Sequence, residues 1–169
     1  MKKKIIPRNY LILTGLVVLV ICACLAFNNI YKIYYSKNAK TSPFEECNQL
    51  LYEDLKNATK DIGGDTFLII SYTDDYDVIE NEKNIYKYLK KNNLLDNVMY
   101  LNITEYIANE DFNEELNKLL KLDTGLTINK YPALVYYRDG LATITIDSTD
   151  HLLNKGDFEQ LVDMYELAG

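Results

Sequence analysis

From Tyr10 to Phe27 the chain reads YLILTGLVVLVICACLAF without one charge. A helix of about 20 apolar residues crosses the ~30 Å hydrocarbon core of a bilayer, and residues 10–30 are just long enough. Beyond Thr41 the pattern breaks into shorter periods. Ser42-Pro43-Phe44-Glu45 places Ser at an N-cap, Pro at the first helical position and Glu at the third. Phe44, Cys47, Leu51, Leu55 and Ala58 follow at helical spacing, and Gly63-Gly64 ends the segment. Thr66–Tyr72 (TFLIISY) is a continuous apolar run of strand length, as a buried central strand requires.

Asp77-Val78-Ile79-Glu80 predicts a second helix to about Asn92, with Val78, Ile85 and Leu89 inward. Val98–Ile103 reads as a strand. Asp111 caps a third helix with Phe112, Leu116, Leu119 and Leu120 inward. Ala133–Arg138 and Leu141–Asp147 form a hairpin around Asp139-Gly140. Asp157-Phe158-Glu159-Gln160 starts a last helix that buries Phe158, Leu161, Val162 and Tyr165. The order α-β-α-β-α-β-β-α combines a parallel βαβ unit with an antiparallel ββα unit. It predicts an α/β fold: a four-stranded mixed sheet flanked by helices. The chain divides into a basic cytoplasmic tail (1–9), a transmembrane helix (10–30), a juxtamembrane linker (31–42) and a folded domain (43–169).

Residues Ile128–Gly140, INKYPALVYYRDG, narrow the fold further. A Pro opens an aromatic and β-branched run that closes in Asp-Gly. With the element order, this stretch resembles the second half of a domain of the thioredoxin-like superfamily. The resemblance implies a cis peptide bond at Tyr131-Pro132 ahead of a central strand. It also implies a loop that receives an extended peptide, formed here by Lys130, Tyr131 and Pro132 beside Tyr72 and Tyr76. The family's Cys-x-x-Cys belongs just after the first core strand, where this chain reads SYTDDYDVIE (Ser71–Glu80) and holds no Cys. Size, anchor and element order make the chain similar to small membrane-anchored proteins related to bacteriocin-transport accessory proteins.

The apolar N-terminal run has three readings. A cleaved signal peptide has a shorter apolar core and a small-x-small site, and Cys24-Leu25-Ala26 is a poor one. A lipoprotein signal ending at Cys24 is helped by Ala23 but not by Cys22. A permanent single-pass anchor fits best. Lys2, Lys3, Lys4 and Arg8 crowd its N-terminal side, while Lys32, Lys37 and Lys40 are spread along the other. That asymmetry predicts a cytoplasmic N-terminus and an extracytoplasmic domain. Tyr31, Tyr34 and Tyr35 suit the headgroup zone. Gly15 has no Gly-x-x-x-Gly partner, so a helix-dimer interface has little support.

The formal charge of −7 understates the acidity of the outer domain, because the N-terminal segment is basic. An acidic domain repels phosphate backbones, which excludes nucleic-acid binding. Of three Cys, Cys22 and Cys24 lie in the span, so Cys47 cannot close an internal disulfide. It reads as a core thiol on a buried stripe, or as a thiol that pairs with a partner chain. Asp74, Asp75, Asp77, Glu80 and Glu82 lack the EF-hand spacing and read as a solvated, acid-rich first turn. His151 is alone, so a zinc site is implausible. Ser71 and Thr73 have no nucleophile-elbow motif or nearby base. No cofactor and no catalytic residue is implied.

Two functions follow as expectations: a peptide- or protein-binding accessory module without redox activity, or a thiol–disulfide protein working through Cys47 with a partner. The anchor itself is directly testable. The whole protein should stay in the membrane fraction after an alkaline wash, and protease added outside spheroplasts should remove the C-terminal domain. Protection of that domain would reverse the orientation.

Overall fold

The computed structural model describes residues 8–38, 41–122 and 125–167, in two compact units, Met1–Asn38 and Ala39–Gly169. The predicted tail residues Lys2, Lys3 and Lys4, and Lys40, lie outside the described residues.

The first unit is one helix, α1 (Arg8–Asn38), 31 residues long, or roughly 46 Å at 1.5 Å per residue. Among the described residues it holds the one segment long and apolar enough to cross a membrane, Leu13–Tyr31. Thr14 donates its hydroxyl to the Tyr10 carbonyl at 2.8 Å, which satisfies a polar group that lipid cannot. The helix runs through residues 31–38 of the expected linker, because neither Gly nor Pro interrupts the sequence between Gly15 and Pro43.

The second unit is built on β2 (Asp65–Ser71), whose side chains alternate between two cores. Leu68 and Ile70 enter one core; Phe67 and Ile69 enter the other. A run that is apolar at every position must be covered on both faces. Five strands do form the sheet, in the order β1-β3-β2-β4-β5. β1 (Asn48–Gln49) and β3 (Val98–Asn102) run parallel to β2; β4 (Ala133–Arg138) runs antiparallel to β2, and β5 (Leu141–Ile146) antiparallel to β4. Helices α2 (Leu55–Asp61) and α4 (Phe112–Leu120) cover the Leu68 face. Helices α3 (Tyr76–Lys91) and α5 (Lys155–Met164) cover the Phe67 face.

The four-stranded expectation fails at the sheet edge. Residues 43–61 are not one helix. They form a 3-10 turn (Pro43–Glu46), β1, a second 3-10 turn (Tyr52–Asp54) and only then α2. Phe44 is buried in the Phe67 core, whereas Leu50 and Leu55 are buried in the Leu68 core. A straight helix packs along one stripe, so this chain must instead wrap around the edge of β3. Asn48 and Gln49 pair with Met99 and Tyr100, and the Leu50 N–H donates to the Tyr100 carbonyl at 2.8 Å. Leu51, expected inward, is exposed, and Cys47 is half-buried. The Ser42 cap is present, with its hydroxyl accepting from the Phe44 N–H.

Two helix starts also move. α3 is capped by Asp75, whose Oδ1 accepts from the N–H groups of Asp77 (2.7 Å) and Val78 (3.2 Å), so Asp77 lies inside the helix. α5 starts at Lys155: Asn154 Oδ1 accepts from the Gly156 N–H, and Asp157 Oδ2 accepts from the Asn154 N–H. Asp157 is therefore the third helical residue of a reciprocal cap. The hairpin turn is as read. Asp139 and Gly140 both have positive φ (51° and 81°), the conformation a two-residue turn between twisted strands needs.

The loop before β4 is held by a side chain acting as a strand. Asn117 donates to the Ile128 carbonyl and accepts from the Ile128 N–H, both at 2.9 Å. It also donates to the Asn113 carbonyl at 2.8 Å. Removing it strands both polar groups of Ile128. Asn117→Ala should cost about 2 kcal/mol, read as a lower urea midpoint in detergent micelles. An unchanged midpoint would mean that the loop is held elsewhere.

Candidate functional site

Ile70 pairs with Ala133 across the sheet. The loop that leaves β2 (Tyr72–Asp75) and the loop that enters β4 (Asn129–Pro132) therefore depart from adjacent, antiparallel strands at one end of the sheet. The head of α3 stands at that end. Its free N–H groups would stabilise an anion; here the Asp75 carboxylate takes two of them, and Tyr76, Asp77, Val78 and Ile79 fill the first turn. No thiol is within this turn or the loop before it.

Tyr131-Pro132 is a cis peptide bond, as the sequence resemblance implies. Pro132 is buried. Its carbonyl accepts from the Ser148 hydroxyl, 2.6 Å away. Tyr131 is half-buried: its ring packs on Phe112 with centroids 5.9 Å apart, and its hydroxyl donates to Asn113 Oδ1 at 2.7 Å. Burial, then the neighbouring Tyr52 and Asp147, push its phenol well above the usual range. Lys130 is exposed, but its backbone is engaged. Its carbonyl accepts from the Ser148 N–H at 3.4 Å, and its amide bonds to Asp147. Lys130 is thus less of a free edge than the sequence resemblance implies.

The structure brings Lys130 and Tyr131 into one open cleft of about 450 Å³ with Ile107, Asn109, Phe112 and Asn113. Tyr72 and Tyr76 do not line it. Tyr72 is half-buried against the Leu68 core, and burial followed by the Asp75 charge raises its phenol. Tyr76 occupies the first turn of α3 and is half-buried. The five residues share one end of the domain but not one pocket. The sequence reading missed the loop between β3 and α4 that forms the opposite wall. Its one signal was Ile107, an exposed apolar residue among polar neighbours.

Beside it, Thr73 ties the β2 exit to the β3 exit. Its N–H donates to Thr104 Oγ1 at 3.0 Å, and the Thr104 hydroxyl in turn donates to Asn102 Oδ1 at 2.6 Å. Thr73 therefore ties the two loops together. Ser71 is fully buried. His151 pairs with Asp157 at 2.8 Å, and among the described residues no group of three potential metal ligands occurs. The acid-rich segment, expected from the sequence to be solvated, is not solvated throughout: Glu82 is buried, 2 % exposed, on the inner face of α3. Residues 1–40 hold seven Lys or Arg and no acid, so the chain's −7 leaves −14 for residues 41–169.

Cys47 lies away from this end, in a shallow cleft with Glu46, Tyr86 and Asp96. Burial, then the charges of Glu46 and Asp96, raise its thiol above the ordinary value. Both effects disfavour the thiolate that disulfide exchange needs.

No family model matches the chain, and no curated protein matches it. Solved structures do. Thioredoxin f2 of Chlamydomonas reinhardtii superposes with a TM-score of 0.50 at 11 % identity, over 71 % of this chain and 96 % of that one. Mitochondrial thioredoxin 3 of Saccharomyces cerevisiae gives 0.48 at 12 % identity, over 73 % and 99 %. The second unit has a thioredoxin-like fold, and at this identity the likeness extends to the fold alone.

The electrostatics of Cys47 give a direct test. Iodoacetamide should label it slowly near neutral pH. Glu46→Gln should raise the rate at pH 8 about twofold, by lowering the thiol pKa. Equal rates in the two proteins would show that burial alone sets its reactivity.

Proposed function

We propose that this protein is a membrane-anchored thioredoxin-like domain that binds an extended peptide or protein segment and carries out no disulfide exchange. The observation that carries the reading is the head of α3. A side-chain carboxylate occupies the N–H groups that would otherwise stabilise a thiolate, and the turn holds no Cys. What remains at that end is aromatic contact area from Tyr72, Tyr76 and Tyr131, beside an open cleft. Tyr provides rigid, amphipathic contact at low entropy cost, which suits polypeptide recognition. Pro132 sets the loop that presents Tyr131 and Lys130.

In this reading α1 stays in the membrane with its N-terminus cytoplasmic, and the domain works outside as an accessory module. The likeness to bacteriocin-transport accessory proteins belongs to the same proposal. A gene neighbourhood with an exporter would support it. The alternative, a thiol–disulfide protein acting through Cys47, is disfavoured by the burial and the two carboxylates that oppose its ionisation.

Two measurements decide between them. The full chain in detergent micelles should not reduce insulin disulfides above background, and Cys47→Ser should leave that result unchanged. Reduction that disappears in Cys47→Ser would establish the thiol reading. Fluorescein-labelled insulin B chain in its thiol-blocked form serves as an extended polypeptide probe. Tyr76→Ala and Tyr131→Ala should each weaken its binding about tenfold, the effect of an aromatic anchor. Unaltered binding in both would remove the site.

A further inference from the structure

Glu82 is the most anomalous side chain in the domain. It projects from α3 into the Phe67 core with 2 % exposure. Three hydroxyls approach its carboxyl: Ser42 at the head of the first 3-10 turn, Ser71 at the end of β2 and Tyr100 in β3. All three residues are buried. Yet neither Glu82 oxygen, nor Ser71 Oγ, nor the Tyr100 hydroxyl closes a well-aligned hydrogen bond. Among the described residues no cation acts on it. From the 3-10 turn the facing charge is Glu45, of the same sign. From β2 and β3 it meets only Ser71 and the Tyr100 phenol. On α3 itself, Glu80 and Lys83 pair with each other at 3.6 Å on the outer surface. Of the α5 charges, Lys155, Glu159 and Asp163 act on Tyr88 farther along α3, and Asp157 is engaged by His151 and the Asn154 N–H; Asp96 acts on Cys47.

A carboxylate without a cation or a full set of donors is strongly disfavoured inside a protein, so burial raises the Glu82 pKa above the ordinary carboxyl value and favours the neutral acid. We propose that Glu82 is a pH-sensitive latch that docks the entry segment Ser42–Glu46 onto α3 and the sheet while it is neutral, and releases it on ionisation. The entry segment is the piece that can yield. β2 and β3 are locked in the ladder, whereas Pro43–Glu46 is one short turn. It is held by the Ser42 hydroxyl at the cluster, by the Phe44 ring, set between Tyr86 (5.7 Å) and Tyr100 (5.9 Å), by the Tyr86 hydroxyl, which donates to the Glu46 carboxylate at 3.3 Å, and by the Gln49 amide, which donates to the Phe44 carbonyl at 2.7 Å. Ionisation would bury a charge among these groups and repel Glu45 on the same turn. Acidification therefore tightens the entrance to the domain and alkalinity loosens it. The inference does not rest on peptide binding at the other loops.

The sign follows from linkage. Burial raises the Glu82 pKa above its ordinary value. Its contribution to stability is full below the unfolded pKa of about 4.3 and is lost as pH rises through the folded value. Cys47 reports the movement, because its N–H donates to the Phe44 carbonyl at 2.9 Å. The test uses the full chain in micelles, with Cys22→Ala and Cys24→Ala so that Cys47 is the sole thiol. Maleimide labelling is compared, pH by pH, between this protein and the same protein with Glu82→Gln, which cancels the titration of the thiol itself. The rate ratio should be near one at pH 5 and rise at least fivefold by pH 9. A ratio that stays at one overturns the latch. ¹³C-glutamate NMR of the unaltered chain keeps the test independent of whether Glu82→Gln folds. One side-chain carboxyl should titrate far above the rest, and a set that all titrate together overturns the proposal.

Discussion

The two-sided burial of β2 is the constraint on which the domain depends. Its backbone can be satisfied only by strands on either side, and its side chains only by helices above and below. β3 supplies one neighbour in parallel and β4 the other in antiparallel. Every later feature is positioned by that choice. The loops at the end of β2 and the start of β4 emerge together because Ile70 and Ala133 are partners. α3 stands over them because it must cross back from β2 to β3. Tyr136, buried in the Phe67 core, places its hydroxyl on Asp65 at the opposite end of β2, so the central pair is pinned there by a polar contact too.

The same geometry normally makes the head of the first crossover helix a place for anionic chemistry. This chain keeps the geometry and changes the group. A carboxylate from Asp75 satisfies the N–H groups permanently, and a permanent partner does not turn over. The thiol that the domain does carry, Cys47, sits at the far edge of the sheet, where burial and two acids oppose ionisation. Both facts support the proposed reading, binding without exchange. The clefts at the loop end are shallow and open, which suits an extended polypeptide better than an enclosed small molecule.

Glu82 shows a second consequence of the core. Among the acids of the Asp74–Glu82 stretch, it is the one that the helical repeat turns inward, and the Ser42, Ser71 and Tyr100 hydroxyls soften the site without neutralising it. A buried acid of this kind links the domain's packing to pH, at the point where the chain enters the fold.

The sequence alone determined the elements whose signals are local or uniform. The apolar span, the β2 run, the Asp139-Gly140 turn and the inward stripes of α3 and α4 depend on composition and periodicity within a few residues. So did the absence of a Cys pair. The tertiary structure decided what depends on distant partners. Phe44 to Ala58 has helical spacing, but the open edge of β3 captures Asn48 and Gln49, and the two cores pull Phe44 and Leu55 to opposite faces. The caps shifted from Asp77 to Asp75 and from Asp157 to Asn154, because local pattern permits several acids to cap and only the packed helix selects one. Tyr131 could be read as a loop contact, yet its wall of Ile107, Asn109 and Asn113 comes from a segment some twenty residues away. Glu82 looked like one more solvated acid. Its burial was set by the angle at which α3 meets the sheet, a quantity that no short stretch of residues contains.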